Sequence, residues 1–364
     1  MAQLLNSNSN SNITNFITSK IGRKLHNQPF HPIEIMKRHI YNYFKNLEKY
    51  QFNFFDDLDP IVSIEDNFDK LLIPIDHPAR SKSDTYYVDE THVLRTHTSA
   101  HQNQLLAEQY KSFIVTGDVY RKDEIDARHY PVFHQMEIFT LVDETADAVY
   151  ELKQLLSGLI EYLFGKRSYK FNDDYFPFTN PSFEIEVEYN NNLIEVLGCG
   201  VVEQAILQAH GLGDKQAIAC GLGLDRLAMI FAEIPDIRYL WSTHGRFLCQ
   251  FTDGNLNKFQ PYSILNSISK DISFYVPNNQ ISDTKWTSEN DFFELLRNID
   301  IIEKVELLDQ YHNTKLSKYS KTYRLIYSPC DPNMKDPGIF NNYVNDEQQK
   351  LRIIIVNELG VELR

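Results

Sequence analysis

Cysteine is scarce in this chain. Its 364 residues include only Cys199, Cys220, Cys249 and Cys330, and no two of them form a CxxC pair. The spacing therefore indicates neither a zinc site nor a disulfide framework, and a reducing intracellular compartment fits best. No apolar run approaches the roughly 20 residues that a membrane span requires, so no membrane association is expected. Positive charge is also in deficit. A formal net charge of -14 argues against a protein that coats nucleic acid non-specifically, because such binding rests on clustered Lys and Arg. The deficit is uneven: the net charge is -12 upstream of Lys258 and -2 from there onward. In that last third, Lys315, Lys318, Lys321 and Arg324 form a local basic cluster that on its own reads as a solvated loop, with contact to a phosphate backbone as the other reading.

What is present is apolar material for two cores. Hydrophobic residues make up 42% and aromatic ones 13%, and the length suits two domains of roughly 100 to 200 residues. Residues 1–21 open with MAQLLNSNSNSNITN, which lacks apolar periodicity and is expected to be a disordered extension. Lys20, Arg23 and Lys24 precede the first acidic residue, Glu34. This is a faint echo of an organellar transit peptide, without its amphipathic stripe. From His31 to Tyr50, the spacing of Ile33, Met36, Ile40, Phe44 and Leu47 predicts an amphipathic helix with Pro32 in its first turn. Between about Phe68 and Phe251, short runs such as FIVTGDVY, VFHQMEIFTLV and LIEVLGCGVV predict antiparallel strands. One helix is expected over Ala146–Phe164 and another from Leu224.

DGNLN at 253–257 reads as a linker. Beyond it, ISKDISFYV predicts a strand and Ser288 caps a helix over FFELLRNI. IEKVELLDQY and KTYRLIY form a strand pair, Asn345 caps a second helix, and GVELR closes the unit. That order is the split ferredoxin-like pattern βαββαβ.

Two stretches carry charged chemistry. VYRKDEIDARHYPVFHQMEIF at 119–139 sets two strands around a loop with Arg121, Asp123, Arg128 and His129. A strand-borne guanidinium there suits bidentate phosphate binding, with a surface salt-bridge ladder as the alternative. IACGLGLDRLAMIF at 218–231 allows close backbone approach at Gly221 and Gly223 and places Arg226 at a helix start. It does not satisfy the GxGxxG dinucleotide pattern, and taken alone it reads as a tight turn into a core helix.

Together the two resemble the ATP-holding motifs of class II aminoacyl-tRNA synthetases, with Arg121 and Arg226 in the places of the strand-borne and helix-borne arginines. FDKLLIPIDHPARSKSDTYYVDETHVLRTHTSAHQ, HYPVFHQMEIF, YFPFTNPSFEIEVEY and IEVLGCGVVEQ resemble phenylalanyl-tRNA synthetase in order and spacing. The likeness covers about residues 22–364 and is to the single-chain, monomeric mitochondrial type. It implies an α+β protein, with an antiparallel class II sheet flanked by helices over 22–252 and a ferredoxin-fold anticodon-binding domain over 258–364. ATP with Mg2+, L-phenylalanine and tRNA(Phe) are the implied ligands. The mitochondrial matrix is the implied location, with the cytoplasm as the alternative.

The resemblance also implies roles for residues. His97, Ser99, Ala100, His101 and Gln102 line the amino-acid and phosphate side of the pocket. Gln135 and Glu137, with Met136 between them, lie near the substrate amino group. Phe176 and Phe178 pack on the substrate ring, and Cys220 and Gly221 border it. For ATP, Phe133 lies beneath adenine and Arg226 above it, while Arg121, Asp123, Arg128, His129 and Tyr130 attend the phosphates beside Gly223. Glu195 faces ATP and its Mg2+. The sequence departs from the family at Cys220, where relatives often carry a larger apolar residue, and at Asp225, where Glu is usual. A smaller residue at 220 is expected to enlarge the pocket and weaken discrimination against tyrosine. A non-catalytic synthetase-like RNA binder and a class II synthetase for another amino acid are the competing readings. The presence of Arg121, Glu137 and Arg226 speaks against the first, and the FPF segment and the missing zinc set speak against the second.

Overall fold

A computed structural model of the chain describes residues 11–143, 145–190, 192–242, 245–261, 265–282, 285–314, 316–329 and 334–364. The β-branched and aromatic runs of the first two thirds form one seven-stranded sheet. Its strands are β1 (Asn53–Phe55), β2 (Ser112–Tyr120), β3 (Val132–Val142), β4 (Tyr169–Phe176), β5 (Thr179–Tyr189), β6 (Asn192–Val202) and β7 (Gln216–Gly223). They lie in the order β1-β2-β3-β7-β6-β5-β4. Every pairing is antiparallel except that of β1 with β2.

Side chains alternate across a strand, so each strand feeds two layers. Met136, Ile138, Leu197, Cys199, Ile218, Cys220 and Leu222 point to one face and join a core closed by three helices. These are α1 (Pro32–Lys45), α2 (Ala148–Phe164) and α3 (Leu224–Ala232). Helix α1 starts where His31 Nδ1 accepts the Ile33 N–H at 3.2 Å. It buries Ile33, Met36, Ile40 and Phe44, the residues that its periodicity singles out. It stops at Lys45 rather than Tyr50, because Asn46 leaves helical geometry and caps it. Tyr41 ties the helix to the sheet through a 2.9 Å bond with Thr116.

The N-terminal segment corrects the sequence expectation. Residues 1–10 lie outside those described, but 11–21 are packed rather than disordered. The Asn12 amide donates to the carbonyls of Lys82 and Thr85 at 3.0 Å each and accepts from the Tyr87 N–H at 2.6 Å. Asn15–Thr18 form a helical turn that buries Ile17 completely. A polar segment thus gains order because its amide side chain substitutes for backbone partners.

The last third forms a second, four-stranded sheet with its own core. Strands β8 (Ile268–Val276), β9 (Ile302–Asn313), β10 (Lys318–Tyr327) and β11 (Glu362–Leu363) lie in the order β9-β10-β8-β11. All neighbours are antiparallel, and helices α4 (Glu289–Leu296) and α5 (Pro337–Leu359) complete the βαββαβ succession. Helix α5 begins eight residues before the expected cap at Asn345. Asp336 accepts the N–H groups of Gly338 and Ile339, and Pro337 is pre-set for a first turn. The boundary between the units also shifts, since Phe259 lies in the first core against Tyr239 and Phe247 rather than in the second unit.

The units meet at the loop between β2 and β3. Ile125 on that loop is buried in the second core, and its carbonyl accepts the Val305 N–H at 2.8 Å. Arg297 donates to the carbonyls of Asp123 and Glu124. Lys122 pairs with Asp291 at 3.2 Å, and Asn290 donates to Asp84 at 2.8 Å.

Candidate active site

The face of the large sheet opposite its helices is hollow. A cavity of about 790 Å³ sits there, and Arg121, Phe133, Gln135, Glu137, Glu195 and Arg226 all border it. The two arginines, 105 positions apart in the chain, thus face one space. Arg121 leaves the end of β2 with its Nε donating to the Thr96 carbonyl at 2.7 Å, and its guanidinium centre lies 5.3 Å from the centroid of the Phe133 ring. Arg226 rises from the first turn of α3 and stands 3.7 Å from Glu195, both half exposed at the mouth.

The loop joining β2 and β3 is held by Asp126. Its carboxylate accepts the N–H groups of Arg128 and His129 at 2.6 and 2.7 Å, and its other oxygen meets His129 Nδ1 at 2.8 Å. That bond raises the His129 pKa above its ordinary value and favours a cationic ring beside the cavity. Asp123 accepts the N–H of its neighbour Glu124 at 2.8 Å. Tyr130 stacks on Trp241 at 5.4 Å, with Phe16 of the N-terminal segment against its edge.

The opposite end of the cavity is apolar, with one buried carboxyl. Glu137 accepts from Ser99 Oγ at 2.8 Å, and burial pushes its pKa up to about 8. Burial, aided by Arg121, holds His97 down to about 3, so that ring is neutral. Neither ring nitrogen of His97 has a protein partner. Phe176 and Phe178 lie nearly parallel with centroids 6.0 Å apart. Phe176 rests on Gly198, where a Cβ would stand 2.8 Å from the ring. Gly221 likewise leaves room for Glu137, whose Oε2 would stand 3.2 Å from a Cβ there.

Most of the residues singled out from sequence border this one cavity, including Asp123, Arg128, His129, Tyr130, Gly221 and Gly223. Four do not. Met136 points into the helical layer, as strand alternation from Glu137 requires. Ala100 packs with Phe68 and Leu71 in a small separate core, and Gln102 is buried. His101 meets Arg95 at 2.8 Å, which in turn grips Asp118 at 3.0 Å beneath the sheet. Cys220 borders the cavity with its main chain, but its side chain joins the helical core opposite Ile138 and Cys199. Its size therefore does not widen the aromatic end of the cavity, contrary to the sequence expectation.

Thr96 and Gly198, to which the sequence reading gave no role, also border the cavity, as does Asp225, noted there only as a departure from the family. Gly198 was detectable in principle, because a glycine inside a strand often marks close approach of another group. Thr96 carried no such signal. Among the described residues, no group of three or more His, Cys, Asp or Glu side chains is arranged to hold a metal ion.

The description "tRNA synthetases class II core domain (F)" fits residues 14–251. Over 97% of this chain and 83% of the relative, it is 47% identical to a chloroplastic/mitochondrial phenylalanine-tRNA ligase of Arabidopsis thaliana. The mitochondrial phenylalanine-tRNA ligase of Mus musculus is 40% identical over 97% of this chain and 86% of its own length. That of Saccharomyces cerevisiae is 34% identical over 97% and 92%. A pyrrolysyl-tRNA synthetase structure from Desulfitobacterium hafniense superposes on 61% of this chain and 75% of that one, at 16% identity and a TM-score of 0.47. With a class II core across about two thirds of its length and likeness of this extent, the chain belongs to the mitochondrial phenylalanine-tRNA ligase family of class II synthetases.

Proposed function

We propose that the chain joins L-phenylalanine to tRNA(Phe) in the mitochondrion, in two steps at the cavity of the large sheet. The observation that carries this reading is the convergence of Arg121 and Arg226 on one cavity that ends in two phenylalanine rings and a buried carboxyl. In the first step a carboxylate oxygen of phenylalanine attacks the α-phosphorus of ATP. The bond to the bridging oxygen breaks, pyrophosphate leaves and an adenylate forms. In the second, a hydroxyl of the terminal ribose of tRNA attacks the activated carbonyl and AMP departs.

Neither step needs a side-chain nucleophile, so the residues act by positioning and by charge. Adenine fits between Phe133 and Arg226, a stacked arrangement that suits the planar guanidinium. Arg121, fixed at its Nε by Thr96, offers its remaining N–H groups to the α-phosphate as negative charge builds there. Arg128 and His129 face the outer phosphates. Glu137 and Gln135 receive the substrate ammonium, and Phe176 and Phe178 receive its ring.

Class II synthetases use ATP with a divalent metal. Glu195 would take part in holding Mg2+, an ion normally bound through one or two carboxylates together with phosphate oxygens. An exposed carboxylate at the mouth fits that demand, and the ion would neutralise phosphate charge. The second unit would bind the anticodon arm of tRNA, and the chain would act as a monomer. No helix among the described residues is long and apolar enough to cross a membrane.

Amino-acid-dependent exchange of pyrophosphate into ATP tests the reading, with phenylalanine and tyrosine side by side. Phenylalanine-dependent exchange is expected, falling by at least about a thousandfold in Arg121→Ala while the fold persists by circular dichroism. Wild-type-like exchange in that variant overturns the role of Arg121, and absence of phenylalanine-dependent exchange in the native protein overturns the function.

A further inference from the structure

The two walls of the proposed adenine slot stand on different elements, and the ladder between those elements stops short of both. Strands β3 and β7 pair from Val142↔Gln216 to Gln135↔Gly223, and the chain then turns into α3 at Leu224. Phe133 on β3 and Arg226 on α3 lie beyond the last rung. At this point the Asp225 carboxylate stands in for a strand. Its Oδ2 accepts the backbone N–H of His134 at 2.5 Å, and its oxygens lie 3.2 and 3.3 Å from His134 Nδ1.

Both partners are closed off from water, with His134 0% and Asp225 2% exposed. The His134 ring is held from behind, with Trp241 stacked at 5.6 Å and His26 tilted against it at 5.3 Å. On its other side, the His134 main chain pairs with Asp118 on β2. His134 is next to Phe133 and Asp225 is next to Arg226. The carboxylate thus fixes the base of one wall to the base of the other.

We infer that Asp225 is a positioning residue that sets the width of the adenine slot, acting through the His134 backbone N–H rather than by touching ATP. The inference rests on the assignment of Phe133 and Arg226 to adenine. Loss of the carboxylate leaves a buried N–H without an acceptor and lets the start of α3 drift from β3, so adenine loses one face of its sandwich. The pocket at Glu137 lies within the paired part of β3, and Arg121 is anchored independently of α3, its Nε on the Thr96 carbonyl and its backbone N–H on the Pro131 carbonyl, so both keep their geometry.

The test is pyrophosphate exchange by the full chain, with KM measured separately for ATP and for phenylalanine. Asp225→Ala is expected to raise KM for ATP roughly tenfold or more while KM for phenylalanine stays within about twofold. Asp225→Asn, whose amide oxygen still accepts the N–H, is expected to bring KM for ATP back to within about threefold of the native value. KM for pyrophosphate, the exchanging substrate, which carries no adenine, is expected to be the same in all three proteins. Should Asp225→Ala fail to fold, Asp225→Ser, one atom too short to reach the N–H, takes its place with the same expectations.

A parallel rise in both KM values, an unchanged KM for ATP, or an asparagine variant as impaired as the alanine one overturns the inference. If the native chain shows no phenylalanine-dependent exchange, the reading of the site itself fails. If the native chain exchanges and the split between the two KM values is absent, the positioning role alone fails.

Discussion

Under the proposed function, Glu137 would set the pH dependence of amino-acid binding. Its carboxyl, buried and held up to about 8, is mostly neutral at pH 7 in the free protein, and an incoming ammonium must displace its proton. KM for phenylalanine in the exchange assay is therefore expected to fall as pH rises from about 6.5 to 8.5, and a flat profile would refute this account. The same shift has a stability consequence of opposite sense. Between the ordinary value of 4.5 and about 8, the folded chain keeps a proton that the unfolded chain has released, so stability declines as pH rises through that window. Glu137→Gln keeps the neutral shape without the penalty. It is expected to melt at a higher temperature than the native chain above pH 7, by up to a few kcal/mol in stability, while losing phenylalanine-dependent exchange.

At this scale the sequence was informative wherever chemistry alone identifies a residue. Arg121, Glu137 and Arg226 are charged groups with no apolar use, and all three border the cavity. Met136 and the Cys220 side chain face away from the cavity because facing alternates with each residue along a strand, and a shift of one reverses it. The parity became visible only once β3 was paired with β7 and Glu137 fell opposite Gly221.

The same alternation governs the elements of the second unit. The basic cluster read along β10 divides between two faces, and Lys315 lies outside the described residues. Lys321 turns inward and pairs with Glu289 at 2.7 Å, while Arg324 pairs with Asp271 on the open face at 2.9 Å. Phe274, Tyr323 and Tyr327 lie on the other face, buried beneath the helices. The open face offers Tyr275, with the Lys318 ammonium 5.3 Å and the Arg364 guanidinium 5.4 Å from its ring.

An aromatic platform flanked by two cations suits an unpaired base and its phosphate. Tyr275→Ala is expected to lower kcat/KM for tRNA about tenfold while pyrophosphate exchange stays native. Equal charging by both proteins would remove the open face from tRNA recognition. The strand and helix succession of this unit was legible from turn residues and periodicity. The start of α5 was not, because Asn345 and Gln348 imitate a capping pair inside a helix that Asp336 and Pro337 had already begun.

Across the whole molecule the two cores are less separate than composition implies. The linker expected at 253–257 marks a change in sequence character, yet Phe259 remains in the first core and Ile125 crosses into the second. Contacts between distant segments leave no local periodic signal, which is why neither crossing was readable. Ile125→Ala is expected to cost about 2–4 kcal/mol. Because the lost contact joins the cores, calorimetry should resolve two unfolding transitions in the variant where the native chain shows one. A single transition shifted as a whole would place Ile125 inside one cooperative block.

The loop that carries Ile125 also carries Arg128 and His129, so the proposed grip on the nucleotide would lean on the far unit for its footing. Amputating that unit would bare an isoleucine and remove the Arg297 guanidinium from two loop carbonyls, slackening the hold on ATP even if no RNA contact existed. A shortened chain that fails to charge tRNA thus confounds two causes, and single changes on the open sheet separate them.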